Sequence, residues 1–206
     1  MDSEKHNALK SLISSLPAYI DGKKLLIEMK QNNLPNWKQK EFISFEIERL
    51  CLKYLESFGF EPKKAIYDGI DHGKVKIDTF KDYPIDIKTS FDSKGCILND
   101  KNTMDKIIKQ YGYFGIIKIV CKANKDDNYE VTNFQNELKE SIVKNEGRKV
   151  KKEAYILKLE YYLLTSKNIE KDCTIFSQGK NSNGNYRREK YMLKNKAKPL
   201  FTIIKE

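Results

Sequence analysis

The chain is short of the residues that would place it in several broad classes. Of its 206 residues four are cysteine; Cys51, Cys96, Cys121 and Cys173 stand far apart and form no CxxC pair. That spacing favours reduced thiols over a disulfide scaffold or a zinc ribbon. No stretch approaches the roughly 18 consecutive apolar residues of a spanning helix. The opening MDSEKHN lacks a basic segment followed by an apolar one, so a signal peptide is not expected and a cytoplasmic location is. There is no internal repeat and no long Pro/Gly/Ser linker, so the length is read as one domain. Arginine is scarce too: Arg49, Arg148, Arg187 and Arg188 are the only four among 39 basic residues, which leaves 35 lysines.

What is present points to a folded, basic protein. Hydrophobic residues make up 39%, with 12 Tyr and 10 Phe, which is more than a solvating tail would carry. The net charge is +10. Lysine is a hydrated point charge suited to diffuse phosphate attraction more than to bidentate base reading. A lysine-rich composition gives the same total without any nucleic-acid partner, so charge alone leaves both readings open.

Periodicity outlines the elements. Residues 7–16 and 22–31 read as short helices around Pro17. Asn36, with Gln39 three residues on, resembles a capping box opening a long helix from Trp37 to about Ser57, stopped by Gly59. Ile43, Ile47, Leu50, Tyr54 and Phe58 form its apolar stripe. Val75 and Ile77, then Ile85 and Ile87, alternate with polar residues as strands do. Residues 102–110 read as a helix, Phe114–Cys121 as a buried strand, and 133–145 as a helix. Residues 153–165, 173–177 and 200–204 read as extended, with a polar loop over 179–190. Together these make an α+β (mixed α/β) domain: a central mixed β-sheet flanked by helices.

The informative segment is KIDTFKDYPIDIKTS, residues 76–90. In a strand Asp86 and Lys88 share one face while Ile85 and Ile87 take the other. With a three-residue loop 81–83, Asp78 would pair directly with Asp86, placing their Cβ atoms about 4.5–5.5 Å apart. A two-residue loop would put them on opposite faces. Paired carboxylates repel unless a hard cation lies between them, and oxygen donors favour Mg²⁺. Such an ion polarises a phosphate and acidifies a bound water, and Lys88 would orient that water or balance charge in the transition state.

This arrangement resembles the PD-(D/E)XK nuclease superfamily and, within it, the type II restriction endonucleases. Asp86-Ile87-Lys88 matches the D/E-x-K element, and IDIKTS is similar to an IDIKTT stretch of the family. The helix segment SFEIER, residues 44–49, resembles the helix that often supplies a further glutamate, a role that falls on Glu46. Glu46 flanks the apolar stripe, whereas Glu48 and Glu41 are read as projecting toward solvent. The resemblance covers roughly residues 40–122. Asp78 follows Ile77 and not proline, and its spacing to Asp86 is short for the family; Asp71 and Asp68 are rivals at more usual spacings. Asp78 is preferred because Asp71 precedes the strand pattern. His72 is read as a loop residue.

Within this frame residues 37–122 form the catalytic core, 1–35 an N-terminal helical segment and 123–206 a DNA-recognition region. The segment SQGKNSNGNYRREK, residues 177–190, holds two of the four arginines. Amide side chains can make bidentate bonds to adenine and arginine to guanine, so Gln178, Asn181, Asn183, Arg187 and Arg188 are the candidate base readers. Lys144–Lys152 is a further basic run suited to phosphate contact or to solvation. The resemblance implies a prokaryotic, Mg²⁺-dependent endonuclease acting on double-stranded DNA as a homodimer. A structure-specific nuclease, or a non-catalytic DNA-binding protein of the same fold, are the alternatives.

Overall fold

The computed structural model describes residues 3–66, 75–80, 83–91, 96–140, 149–180 and 183–205. The chain opens with α1 (Ser3–Ser15), a short strand β1 (Tyr19–Asp21) and α2 (Gly22–Gln31). Asp21 caps α2, its side chain accepting from the Lys24 amide at 2.8 Å. A 3-10 turn (Pro35–Lys38) leads to α3 (Phe42–Glu56), then β2 (Pro62–Ile66), β3 (Val75–Phe80) and β4 (Ile85–Ser90). β5 (Ile97–Asp100), α4 (Lys101–Tyr111), β6 (Phe114–Lys125) and α5 (Glu130–Leu138) follow. The last third comprises β7 (Lys151–Leu164), α6 (Ile169–Asp172), β8 (Cys173–Phe176), β9 (Lys190–Leu193) and β10 (Phe201–Ile204).

The central sheet is mixed. Its strands run β1-β7-β6-β4, with β10 also on β7; β4 and β6 are parallel and the other pairs antiparallel. Both faces are covered, as a parallel pair requires. One face carries Ile85, Ile87, Ile117, Ile119, Leu159 and Tyr161 into a core with α1, α2 and α3, so the N-terminal helices are part of the same packing unit. The other face puts Phe114, Ile116, Tyr162 and Leu164 against α4, α6 and a second, three-stranded sheet β5-β9-β8. The mixed α+β architecture, with helices alongside a mixed sheet, is therefore the observed one.

Four local expectations change. The long helix begins at Phe42, not Trp37, and no side chain caps it. The buried Gln135 amide donates to the carbonyls of Trp37 (2.7 Å) and Gln39 (2.9 Å), acceptors that a helix through this region would have used internally. Its buried face is Phe42, Ile43, Ile47, Cys51 and Leu55, while Leu50 and Tyr54 are half-buried. The third change is the hairpin. β3 pairs antiparallel with β2 in a separate two-stranded sheet, and β4 pairs with β6. β4 is buried on both faces, so it takes the apolar β6 as partner, anchored where Gly115 N donates to Pro84 O at 2.7 Å. The expected direct pairing of Asp78 with Asp86 is thus not made among the described strands. α5 spans Glu130–Leu138, so it starts earlier than expected, and residues 141–148 lie outside the described residues.

Candidate active site

Strand β4 supplies the centre. Its alternation sends Ile85 and Ile87 toward the helices and Asp86 and Lys88 to the opposite face. Asp86 is only 5% exposed, and Lys88 Nζ lies 2.6 Å from Asp86 Oδ2. Lys88 also donates to Asn99 Oδ1 at 3.2 Å. Asn99 is buried and belongs to β5, so this bond joins the central sheet to the small one. The next residue, Asp100, caps α4 by accepting from the Thr103 amide at 2.9 Å, which fixes the end of β5.

Burial pulls the Lys88 ammonium toward deprotonation, but the Asp86 charge and hydrogen bond, with a further contribution from Glu48, raise its pKa overall. Lys88 therefore stays cationic at neutral pH. This suits it to orienting or balancing negative charge and not to acting as a free-amine base. Cys96, beside the pair, is pushed up to about 11 by burial, which Lys88 and Lys118 only partly offset, so its thiol is inert at neutral pH.

Among the α3 carboxylates, Glu48 is the one whose charge contributes to raising the pKa of Lys88. Its charge acts on Lys88, Cys96 and Cys51. Glu46, two residues and therefore roughly 200° away around the helix, is buried and held by its neighbour: Arg49 Nε donates to Oε2 at 2.7 Å and a terminal nitrogen to Oε1 at 2.5 Å. Glu46, the helix carboxylate expected at the site, thus has Arg49 as its partner, while Glu48 contributes charge at Lys88.

A second polar group neighbours the first. In register, Lys88 lies beside Lys118, which lies beside Glu160. Glu160 accepts from Tyr162 at 2.8 Å and is ion-paired with Lys158 (2.6 Å) and Lys118 (3.2 Å). Burial raises its pKa, yet these three partners bring it below the ordinary value. Neither this group nor Asn99 was among the expected site residues. Lys118 interrupts an otherwise apolar run, where a buried lysine signals a buried acidic partner.

The remaining candidates are dispersed. Asp78 lies on β3 opposite the register shift between Lys63 and Lys64; its side chain, like Asp71, Asp68, His72 and Asn181, is outside the described residues. Gln178 is half-buried, and Asn183, Arg187 and Arg188 are exposed on the β8–β9 loop. That loop is shaped by a bridge between Lys180 and Tyr186 and by Arg187 N donating to Gly179 O at 2.9 Å. Gly179 and Gly184 adopt φ of 69° and 83°, which favour glycine. The loop joins β8 to β9, and β9 also pairs with β5, the strand that carries Asn99.

Mg²⁺, implied by the resemblance, is usually held by one or two carboxylates with waters and phosphate oxygens completing the shell. Asp86 and Glu48 fit that donor chemistry. Among the described residues no group of three or more His, Cys, Asp or Glu side chains converges as a metal cluster. The described helices include none long and apolar enough to cross a membrane. Comparison with protein-family models, with curated proteins and with solved structures gives no match to this chain.

Proposed function

We propose that the chain is a Mg²⁺-dependent endonuclease of the type II restriction kind, hydrolysing phosphodiester bonds in double-stranded DNA at specific sequences. The observation that carries this reading is the 2.6 Å Asp86–Lys88 pair on the outermost strand of the central sheet, with Glu48 acting on the same lysine. Asp86 and Glu48 would hold the cation, with Asp78 as a further candidate. A bound Mg²⁺ would supply polarisation of the scissile phosphate and a more acidic water. Lys88 presents a fixed ammonium toward charge developing on the phosphate, a role preorganised by Asp86 and Asn99. Gln178, Asn181, Asn183, Arg187 and Arg188 would read bases. Cutting both strands of a palindrome would require two copies, hence a homodimer in a prokaryotic cytoplasm.

The test is digestion of a sequenced phage genome in Mg²⁺, with the ends sequenced. Discrete fragments with one common end sequence are expected, and Asp86→Ala and Lys88→Ala should each abolish them. Wild-type cutting by either variant would refute the assignment. Cleavage confined to branched DNA would replace it with a structure-specific nuclease. Duplex binding with no metal-dependent product would replace it with a non-catalytic binding protein.

A further inference from the structure

A second charged surface lies where α2, the 3-10 turn and α5 meet, and it is built around one buried amide. Gln135 on α5 is 1% exposed, and its side chain is fully used. Its nitrogen donates to the carbonyls of Trp37 and Gln39, which bracket Lys38, and its oxygen accepts from Lys139 Nζ at 2.9 Å. One side chain thus fixes Lys38 and Lys139 on adjoining segments. Lys30 of α2 joins them, donating to Leu138 O at 3.2 Å. Lys30 and Lys38 also stand 5.7 and 5.4 Å from the Trp37 ring centroid.

Ordinary helix capping explains only part of this. The C-terminus of α5 offers about half a negative charge, enough for one lysine and not for several. The remaining charges repel: Lys139 is shifted toward its neutral form by burial and then by Lys40 and Lys38, with no described carboxylate acting on it. Like charges held together by a buried scaffold favour a bound anion, which relieves the repulsion. Lys30, Lys38 and Lys139 belong to three different segments, α2, the 3-10 turn and the end of α5. This layout matches a row of phosphates better than a single small ion.

We propose that Lys30, Lys38 and Lys139 form a binding surface for the phosphate backbone of duplex DNA, distinct from the Asp86–Lys88 centre. This surface shares its ligand with the proposed function but not its chemistry, so it can be tested without cleavage. Anisotropy of a labelled duplex of arbitrary sequence would be measured in EDTA across a salt series, for the wild-type chain and for Lys38→Ala/Lys139→Ala. A control double variant, Lys171→Ala/Lys198→Ala, removes the same charge from exposed positions elsewhere.

The Lys38/Lys139 variant should bind about tenfold more weakly near physiological salt. Its log–log salt slope should be shallower by about two, because each phosphate contact contributes close to one. The control should stay near wild type. Equal losses in both double variants, an unchanged slope, or no duplex binding by the wild type would each overturn the proposal. So would inorganic phosphate shifting the Gln135 amide resonances while duplex affinity stays independent of these lysines, since that describes a small-anion site. Lysine-dependent binding without any cleavage in Mg²⁺ would sink the nuclease reading and leave this surface standing.

Discussion

Two lysine–carboxylate groups lie side by side on one face of the central sheet, and they are built to different ends. Around Glu160 every contact is a donor to the carboxylate: Tyr162, Lys158 and Lys118, two of them on its own strand. The Lys118–Glu160 pair is 8% and 10% exposed at the side chains, deep between β6 and β7. Around Asp86 the lysine is the shared element. It bonds Asp86 and Asn99 and feels Glu48, groups contributed by the same strand, the small sheet and α3. Lys88 is also more exposed, at 18%, and β4 ends the strand order of its sheet. A carboxylate enclosed by its donors fits a structural device, whereas the less enclosed Lys88, reached by groups from three elements, fits the proposed site. The difference teaches that burial of charge does not by itself identify function; what matters is whether the group is closed off.

The sharpest way to break this comparison is to remove one charge from each group and ask what fails. Glu160→Gln leaves Lys118 buried without its counter-charge, which costs about 3–5 kcal/mol. Urea denaturation should show that loss, and adding Lys118→Met should recover most of it. At a temperature where the variant is folded, DNA cleavage should remain within about threefold of wild type, well below the 10²–10³-fold expected from removing a transition-state stabiliser. A Glu160→Gln protein of normal stability and abolished cleavage would move the active centre to Glu160.

A somewhat smaller effect separates the two helix carboxylates. Glu48→Gln should lower the cleavage rate by about 10²-fold in saturating Mg²⁺. Glu46→Gln, which only loosens the clasp with Arg49, should leave the rate nearly unchanged. Single-turnover kinetics on both variants decides it; the reverse ranking assigns the role to Glu46. Smaller again is the effect expected at Asn99, which accepts a hydrogen bond from Lys88. Asn99→Leu should slow cleavage by about 10-fold, at the low end for a supporting residue, with duplex affinity unchanged. Asn99→Asp keeps the acceptor oxygen and should restore most of the rate. Equal losses in both Asn99 variants would mean that the residue serves packing alone.

How much of this was legible in the sequence follows from the range of each interaction. The alternation of Ile85, Asp86, Ile87 and Lys88 is local, and the strand and the shared face of Asp86 and Lys88 are as read. Helices α1, α2 and α4 and the long strands β6 and β7 were readable for the same reason. What failed depended on partners far along the chain. The helix start moved because Gln135, about a hundred residues away, occupies the carbonyls of Trp37 and Gln39. The hairpin was lost because β4 gains more from β6 than from its sequence neighbour β3. Asn99 became visible only when the small sheet was folded onto Lys88, since nothing in ILND marks one asparagine for that role.

Acid titration sharpens the comparison at its smallest scale. The Glu160 carboxyl sits below its unfolded value of 4.5 in the native state, because Lys158, Tyr162 and Lys118 outweigh burial. As pH falls, the unfolded chain therefore takes up this proton first. The stability that Glu160 contributes is complete above pH 4.5 and is lost as pH falls through the lower native value. Asp126 behaves in the same sense: burial raises its pKa, but hydrogen bonds from Thr132 and neighbouring amides bring it below normal. Lys88 is raised, so its contribution is intact throughout the acid range and falls only as pH rises through its native value. Denaturation midpoints between neutral pH and pH 3 should thus fall less steeply in Glu160→Gln than in wild type, with a remaining slope from Asp126. Lys88→Met should leave the slope set by Glu160 in place. An acid limb identical in wild type and Glu160→Gln would show that Glu160 is not held by its donors, and the distinction between a closed and an open charge group would lose its basis.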